Sequence, residues 1–294
     1  MQEWVVSSEE SGLKILVFLK SKFGATIASR QLKRALEAGQ CQINGRVERF
    51  ASKLVGRGDR VSMVDLSLTA EKHDEALSLD SFLYVDDHLI ACNKPVGINS
   101  EDSQWLAAVR KFYKNAILLH RLDRDTTGVL LFARNEACAE AMFALFKQRQ
   151  ISKTYHAIVD GVPKLASGVV DNFLGKIHTY QGQSLWGAVA REKGMYARTQ
   201  WRLERSGHEA ALLVCHPETG RTHQIRVHLS GLGHPILGDF QYGRTFRCSL
   251  HVNRMMLHAT SLNFVHPITK QPVVIRAPFP QDFKAAVERL FGEI

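Results

Sequence analysis

The chain has 294 residues, 45% of them apolar and 23% charged, with a formal net charge of +9. That length suits one large domain plus a small one, and the composition excludes a disordered, collagenous or disulfide-dense chain. No apolar run approaches the ~20 residues of a membrane helix. Met1-Gln2-Glu3-Trp4 does not open a secretory signal, so a cytoplasmic protein without a membrane partner is expected. Cys41, Cys92, Cys138, Cys215 and Cys248 include no C-x-x-C pair. Neither a disulfide framework nor a zinc site is expected from them, and Cys92 and Cys215, inside apolar runs, read as core.

The charge is unevenly spread. Residues 12–64 carry eleven Lys and Arg against three acids, a net of +8. Concentrated in a small module, such charge reads as an electrostatic footprint for nucleic acid, the plainer reading being a solvated basic surface. Residues 13–20 predict a short helix ended by Gly24. Thr26 is a candidate cap for a second helix over 27–38, with Gly39 behind it. In that helix Arg30, Lys33 and Arg34 stand at i, i+3 and i+4 and share one exposed face. Residues 41–47 predict a hairpin turning at Asn44-Gly45. Residues 53–55 and 58–61 close a small strand set. Two short helices, an Asn-Gly hairpin and a terminal G-D-x-V strand resemble the αL-type RNA-binding domain of small-subunit ribosomal protein S-four. The resemblance covers residues 12–64 and implies that the basic helix, through Arg30, Lys33 and Arg34, contacts RNA phosphates. Residues 65–80 mix charges without a hydrophobic period and read as a linker, with a second domain over 81–294.

Residues 82–97 read as strand, acidic turn, strand, and then the loop Asn93-Lys94-Pro95-Val96-Gly97. Lys94 is there an RNA contact or an ordinary loop lysine. The apolar runs 117–119 and 129–133 bracket a polar loop, His120-Arg121-Leu122-Asp123-Arg124-Asp125-Thr126-Thr127-Gly128. The second run predicts a strand covered on both faces. Asp123 lies between Arg121 and Arg124, and cationic neighbours favour an ionised carboxylate. That suits a nucleophile or charge stabiliser better than a general acid, the plain alternative being an exposed turn with salt bridges. Asn135 is a cap for a helix over 136–148, with Ala139, Met142, Phe143, Leu145 and Phe146 as its buried side. Residues 151–159 alternate and predict a strand carrying Lys153 and Tyr155. A Tyr on such a strand is by default a half-buried packing residue. Residues 160–193 bear glycines and read as irregular. Strands follow over 194–201 and 210–215. Residues 222–229 read as a helix whose N-terminus is rich in donors and suited to an anion. His223 and His228 are five apart, not in the H-E-x-x-H spacing of a zinc helix, so no metal site is expected. A hairpin about His266-Pro267 and a helix from about Asp282 end the chain.

The stretch 120–128 followed by an apolar strand resembles the signature of RNA pseudouridine synthases of the RluA type. Asn93-Lys94-Pro95-x-Gly97, the K-x-Y-x-A over 153–157, and Gly220-Arg221-Thr222-His223-Gln224-Ile225-Arg226 match further signatures. His234 to Asp239 and Arg254 to Ala259 also match. The resemblance spans about residues 80–290. With the N-terminal module it implies an α+β chain: a small αL-type domain, then a mixed, mainly antiparallel sheet flanked by helices. It implies Asp123, Tyr155 and Arg226 as the catalytic residues: Asp123 the carboxylate, Arg226 its partner, and Tyr155 stacked on the uracil with assistance to proton removal at C5 left open; Leu257 is implied against the target base. Arg121, Arg221, His223 and Lys94 are the implied RNA contacts. Thr127 stands where the family usually has Ser, with the hydroxyl kept. Asn99 and Ser100 stand where a His-Pro is usual.

The implied reaction detaches uracil from C1′ of a uridine, rotates it and rejoins it through C5. It needs no redox change or external group, so no cofactor is expected. Whether Asp123 attacks C1′ or removes a C2′ proton is open. The expected substrate is large-subunit ribosomal RNA, with transfer RNA behind it, and a monomer is expected. The alternative is an inactive RNA-binding or ribosome-assembly protein on the same scaffold, against which the intact Asp123, Tyr155 and Arg226 stand. A hydrolase using Asp123 with Asp125 lacks any second motif.

Overall fold

The computed structural model describes residues 2–24, 27–37, 40–48, 50–63, 77–180, 183–243 and 245–293. The chain forms two compact units, Met1–Glu75 and Ala76–Ile294. The first holds β1 (Gln2–Val5), α1 (Ile15–Phe23), α2 (Ser29–Glu37), β2 (Cys41–Ile43), β3 (Arg46–Glu48) and β4 (Arg60–Met63). Its sheet runs β1-β4-β2-β3. Ile15, Phe18 and Leu19 of α1 and Leu32, Ala35 and Leu36 of α2 close over Cys41, Val61 and Met63. Asn44 and Gly45 both take positive φ, 52° and 76°, the geometry that fits a two-residue hairpin to the twist of its strands.

Three details depart from the sequence reading. β1 lies ahead of residue 12 and pairs with β4, Trp4 opposite Val61. Over residues 53–55 there is an isolated bridge, Lys14 to Leu54, rather than a strand. Thr26, Gly39 and most of the expected linker lie outside the described residues, and Leu79–Ser81 is a single 3-10 turn.

The second unit opens with β5 (Phe82–Val85), β6 (Leu89–Lys94), α3 (Ser103–Phe112), β7 (Ile117–Leu118), β8 (Thr127–Ala133), α4 (Glu136–Lys147) and β9 (Ser152–Asp160). Then come β10 (Ser167–Tyr180), β11 (Gln183–Val189), β12 (Met195–Ser206), β13 (Ala210–Pro217) and α5 (Gln224–Gly231). β14 (Leu257–Val265), β15 (Pro272–Arg276) and α6 (Gln281–Phe291) complete it. Eleven strands make one sheet, ordered β11-β10-β12-β13-β9-β14-β8-β6-β5, with β15 on β14 and β7 on β8. The fold is α+β, with a mainly antiparallel sheet. The region expected to be irregular is the long hairpin of β10 and β11. Val169 and Ile177, half exposed on β10, remove the inside-outside alternation that would have marked it.

All seven residues of β8 are buried. Val129, Leu131 and Ala133 pack toward Cys138, Ala139 and Met142 of α4. Leu130 and Phe132 pack toward Trp105 and Val109 of α3. Covered on both sides, the strand carries no polar residue from Val129 to Ala133, which is why that stretch reads as a continuous apolar run. Asn135 accepts from the Cys138 amide at 2.9 Å and starts α4. Phe143 of that helix is exposed, not buried as expected. A third core joins β9 and β13 to Ile225 and Leu229 of α5 and to Phe283 and Val287 of α6.

β8 lies parallel to β14, with His258 opposite Thr127 and Ala259 opposite Gly128. Gly128 has φ +113°, and a Cβ there would stand 2.1 Å from the Ala259 carbonyl oxygen. Only glycine permits that approach. Gly128→Ala is expected to destabilise the second unit by about 3 kcal/mol or more. Urea denaturation of the variant measures this, and a change below about 1 kcal/mol would refute the strain argument.

Candidate active site

The loop between β7 and β8 is fixed from below. Lys94, at the end of β6, is 0% exposed, and its ammonium donates to the carbonyls of Pro95 (2.9 Å), Ile98 (2.9 Å) and Arg124 (3.0 Å). Its expected contact with RNA is therefore corrected: Lys94 is a strut whose three donors are spent on backbone. Burial pulls its pKa down to about 7. The Ser100 hydroxyl donates to Leu122 O and accepts from Leu122 N, both at 2.9 Å. The departure from the family at Asn99-Ser100 thus has a local use, since it pins the residue before Asp123. The Thr127 hydroxyl lies 2.8 Å from His258 Nδ1. Because His258 Nε2 faces the Ala277 carbonyl at 3.3 Å, Nδ1 is the acceptor and Thr127 donates.

Held so, Asp123 faces α5. Arg226 Nη1 donates to its Oδ2 at 3.2 Å. The same guanidinium grips Asp239 with two donors, Nε to Oδ2 at 2.7 Å and Nη2 to Oδ1 at 2.9 Å. It donates a fourth bond to Gln241 Oε1 at 2.8 Å and lies 4.9 Å from the centre of the Tyr242 ring. Asp239 is 3% exposed and Arg226 9%. The arginines flanking Asp123 turn elsewhere, Arg124 onto Asp125 at 2.8 Å and Arg121 toward Glu101 at 3.5 Å. The cation that serves Asp123 comes from over a hundred residues downstream.

The Gly220-Arg221-Thr222 turn is organised by Gln224. Its Oε1 accepts from Thr219 Oγ1 (2.6 Å) and the Arg221 amide (3.0 Å), and its Nε2 donates to Arg198 O and Thr199 Oγ1 (both 2.9 Å). The helix begins at Gln224 rather than 222, and the Arg221 amide ahead of it is engaged by Gln224. His223 stands ahead of the helix in the left-handed region, φ 56°. Its Nδ1 meets Tyr242 Oη at 2.8 Å and its Nε2 lies 4.0 Å from Asp123 Oδ2. The Trp186 amide donates to the same hydroxyl at 3.1 Å, which frees the Tyr242 proton for His223. Burial lowers the His223 pKa to about 4, so the ring is neutral at pH 7. Tyr155, on β9, is pushed above the ordinary phenol range by burial and then by the charge of Asp123. It is a neutral ring suited to stacking and a poor proton acceptor.

One pocket is lined by Asp123, Tyr155, Arg226, Leu257, His223, Arg121 and Arg221. Lys94 is not part of it. Arg30, Lys33 and Arg34 stand on α2 of the first unit, and the side chains of Arg30 and Arg34 lie outside the described residues. The sequence reading assigned no role to Asp239, Gln241 or Tyr242. Asp239 lies in the segment His234 to Asp239 that resembles the family, and Gly238 before it has φ 77°, where a Cβ would be 2.0 Å from Arg254 O. That tight turn delivers Asp239 to Arg226.

Residues 88–231 match the family of RNA pseudouridylate synthases. The ribosomal large subunit pseudouridine synthase C of Buchnera aphidicola is 32% identical over 287 residues, covering 91% of this chain and 90% of that protein. The chain belongs to the RNA pseudouridine synthases. The synthase C of Escherichia coli is 31% identical over 97% of this chain and 95% of its own length. In structure, human RNA pseudouridylate synthase domain containing 4 aligns with a TM-score of 0.61 at 30% identity, over 72% of this chain and 93% of that one. The protein is thus an isomerase, and the pocket around Asp123 is the place in its synthase domain where a carboxylate, a neutral aromatic ring and an anchored guanidinium meet.

Removing Arg226 from this synthase would strand Asp239, the more deeply buried of its two carboxylates. Arg226→Ala is expected to lower stability by about 3–5 kcal/mol. Arg226→Lys should recover little, since an ammonium cannot span both Asp239 oxygens while reaching Asp123. Asp239→Asn should lower turnover although it lies outside the pocket. Denaturation midpoints and turnover of the three variants check this; a stable, active Arg226→Lys enzyme would contradict it.

Proposed function

We propose that this synthase isomerises uridines of large-subunit ribosomal RNA, with Asp123 as the catalytic carboxylate. The observation that carries the reading is the position of Asp123: its Oδ2 lies in the pocket, 3.2 Å from a guanidinium that Asp239 holds in place. A carboxylate oxygen so aimed is suited to attack C1′ or to take the C2′ proton of a uridine flipped out of its stack. Tyr155 and Leu257 both line the pocket and are the apolar surfaces against which the base would pack. Tyr155, neutral and half-buried, is a poor acceptor for the C5 proton. The ribosomal target is supported by the names of the relatives, which are large-subunit enzymes. An inactive scaffold is not favoured, because each group the chemistry needs is present in the pocket.

The test is to map pseudouridines in total RNA with and without the gene, and after complementation with Asp123→Asn. The expected result is the loss of one or more large-subunit sites and no restoration by the variant, which should still fold and bind RNA. Lost sites confined to transfer RNA would overturn the ribosomal reading. Turnover by Asp123→Asn within about tenfold of wild type would overturn the role of Asp123.

The first unit is read in the same way as an RNA-binding module of the αL type. Its support is the +8 carried by residues 12–64 and the spacing of Arg30, Lys33 and Arg34 along α2. Replacing these three by Gln in the full-length enzyme should raise KM. It should flatten the log–log salt dependence of binding by about 0.7–0.9 per lost phosphate contact, with the saturated single-turnover rate unchanged. An unchanged slope would show that this face does not meet the RNA.

A further inference from the structure

Lys153 is the member of the pocket that the isomerisation leaves unused. It precedes Tyr155 by two residues on β9, so the two side chains share a face of the sheet, and both line the catalytic pocket. Lys153 and Pro217 also line a second depression of about 550 Å³, with Arg149 and His216 on its wall. The Lys153 ammonium donates to Thr219 O at 3.1 Å. Arg149, exposed just beyond α4, places its guanidinium 5.8 Å from the centre of the Tyr196 ring. Arg221 Nε donates to the Tyr196 carbonyl at 3.0 Å. Two cations therefore meet at Tyr196, and the charges of both reach Lys153.

The carboxylates of this region are committed to another residue. Glu218, which also lines the depression, binds Arg198 at 2.9 Å and Gln200 at 2.8 Å, and Asp171 binds Arg198 at 2.8 Å. Among the described residues none of Arg149, Lys153 and Arg221 is ion-paired with a carboxylate. Burial, and then the charges of Arg149 and Arg221, pull the Lys153 pKa down to about 8. Glu218 also feels the charge of Arg149, yet the three cations still repel one another in the folded chain, and a ligand bearing negative charge relieves that repulsion.

We propose that this depression is a phosphodiester site, in which Lys153, Arg149 and Arg221 take the RNA backbone next to the flipped uridine. The strand then leaves the catalytic pocket across Pro217, the one other residue that both hollows share. A phosphate held here offsets part of the unstacking that flipping requires. The site rests on the synthase reading of the pocket and not on which RNA is modified.

The test uses the full-length enzyme and the shortest RNA it converts, whichever RNA class supplies it. Each phosphate flanking the target is replaced singly by an uncharged methylphosphonate. For wild type, one replacement should raise KM about tenfold or more, the value of one charge-assisted bond, and leave the saturated single-turnover rate within about twofold. Lys153→Met should raise KM on unmodified RNA by a similar factor, and the sensitive methylphosphonate should then add no further loss. Lys153→Arg should restore most of the affinity. Arg149→Ala, an exposed change that spares the fold, should show a smaller effect of the same kind. A full methylphosphonate penalty in both Lys153→Met and Arg149→Ala overturns the proposal. So does a Lys153→Met enzyme that binds normally but turns over slowly at saturating RNA, because Lys153 would then act in the chemistry. Since the RNA is chosen by its conversion, a transfer-RNA target would sink the ribosomal reading without touching this result.

Discussion

The candidate active site depends on one guanidinium shared between two carboxylates. Arg226 is nearly buried and Asp239 is more so, and a buried pair of this kind is tolerable only when its remaining donors and acceptors are satisfied. Here four of the five N–H donors that a guanidinium carries are committed to Asp239, Gln241 and Asp123. The tight bidentate contact is with Asp239, and the longer single contact is with Asp123. The pair with Asp239 fixes the plane of the guanidinium, and the left-over donor then fixes Asp123. Asp123 remains only partly covered, with an oxygen that a substrate can reach.

A carboxylate aimed from one side must also be held on the other. The loop carrying Asp123 has little regular structure, and it is positioned by backbone capture. Lys94 gathers three carbonyls, Ser100 brackets Leu122, and Thr127 is locked to His258 across the parallel pair of β8 and β14. Each of these groups is buried, where an unpaired polar atom is costly. The loop therefore has one low-energy arrangement. Gly128 permits the close β8–β14 approach on which that arrangement rests. Rigid strands on both sides and a satisfied loop between them are what preorganised chemistry requires.

Much of this was legible in the sequence, for physical reasons that differ by element. β8 could be read because burial on both faces leaves no polar residue to interrupt the run. The hairpin of β2 and β3 could be read because Asn-Gly tolerates two successive positive φ angles. The meeting of Asp123, Tyr155 and Arg226 followed from family motifs, since nothing in their spacing brings three distant segments together. The β10–β11 hairpin stayed hidden because apolar side chains occupy its exposed face. Lys94 was open to two readings because a lysine beside a loop can serve phosphate or carbonyl equally well. Only the convergence of three backbone oxygens decides between them. Asp239 was hidden for a related reason: its partner lies one helix away and nothing local marks it as buried.

The saturation of Arg226 has a consequence for how the enzyme holds RNA. A guanidinium with four donors committed and its face against Tyr242 has little left to offer a phosphate. The cation that orders Asp123 is therefore poorly placed to bind an RNA backbone. Those tasks fall to different residues in one pocket. Among the described residues Arg221 gives one donor to a carbonyl, Lys153 gives one donor to another, and Arg121 pairs with an exposed glutamate. All three line the pocket. Separating a neutralised, buried cation from incompletely neutralised ones lets the site stay folded without RNA and still attract it. One arginine could not do both, because each phosphate bond it made would be taken from the contacts that aim Asp123.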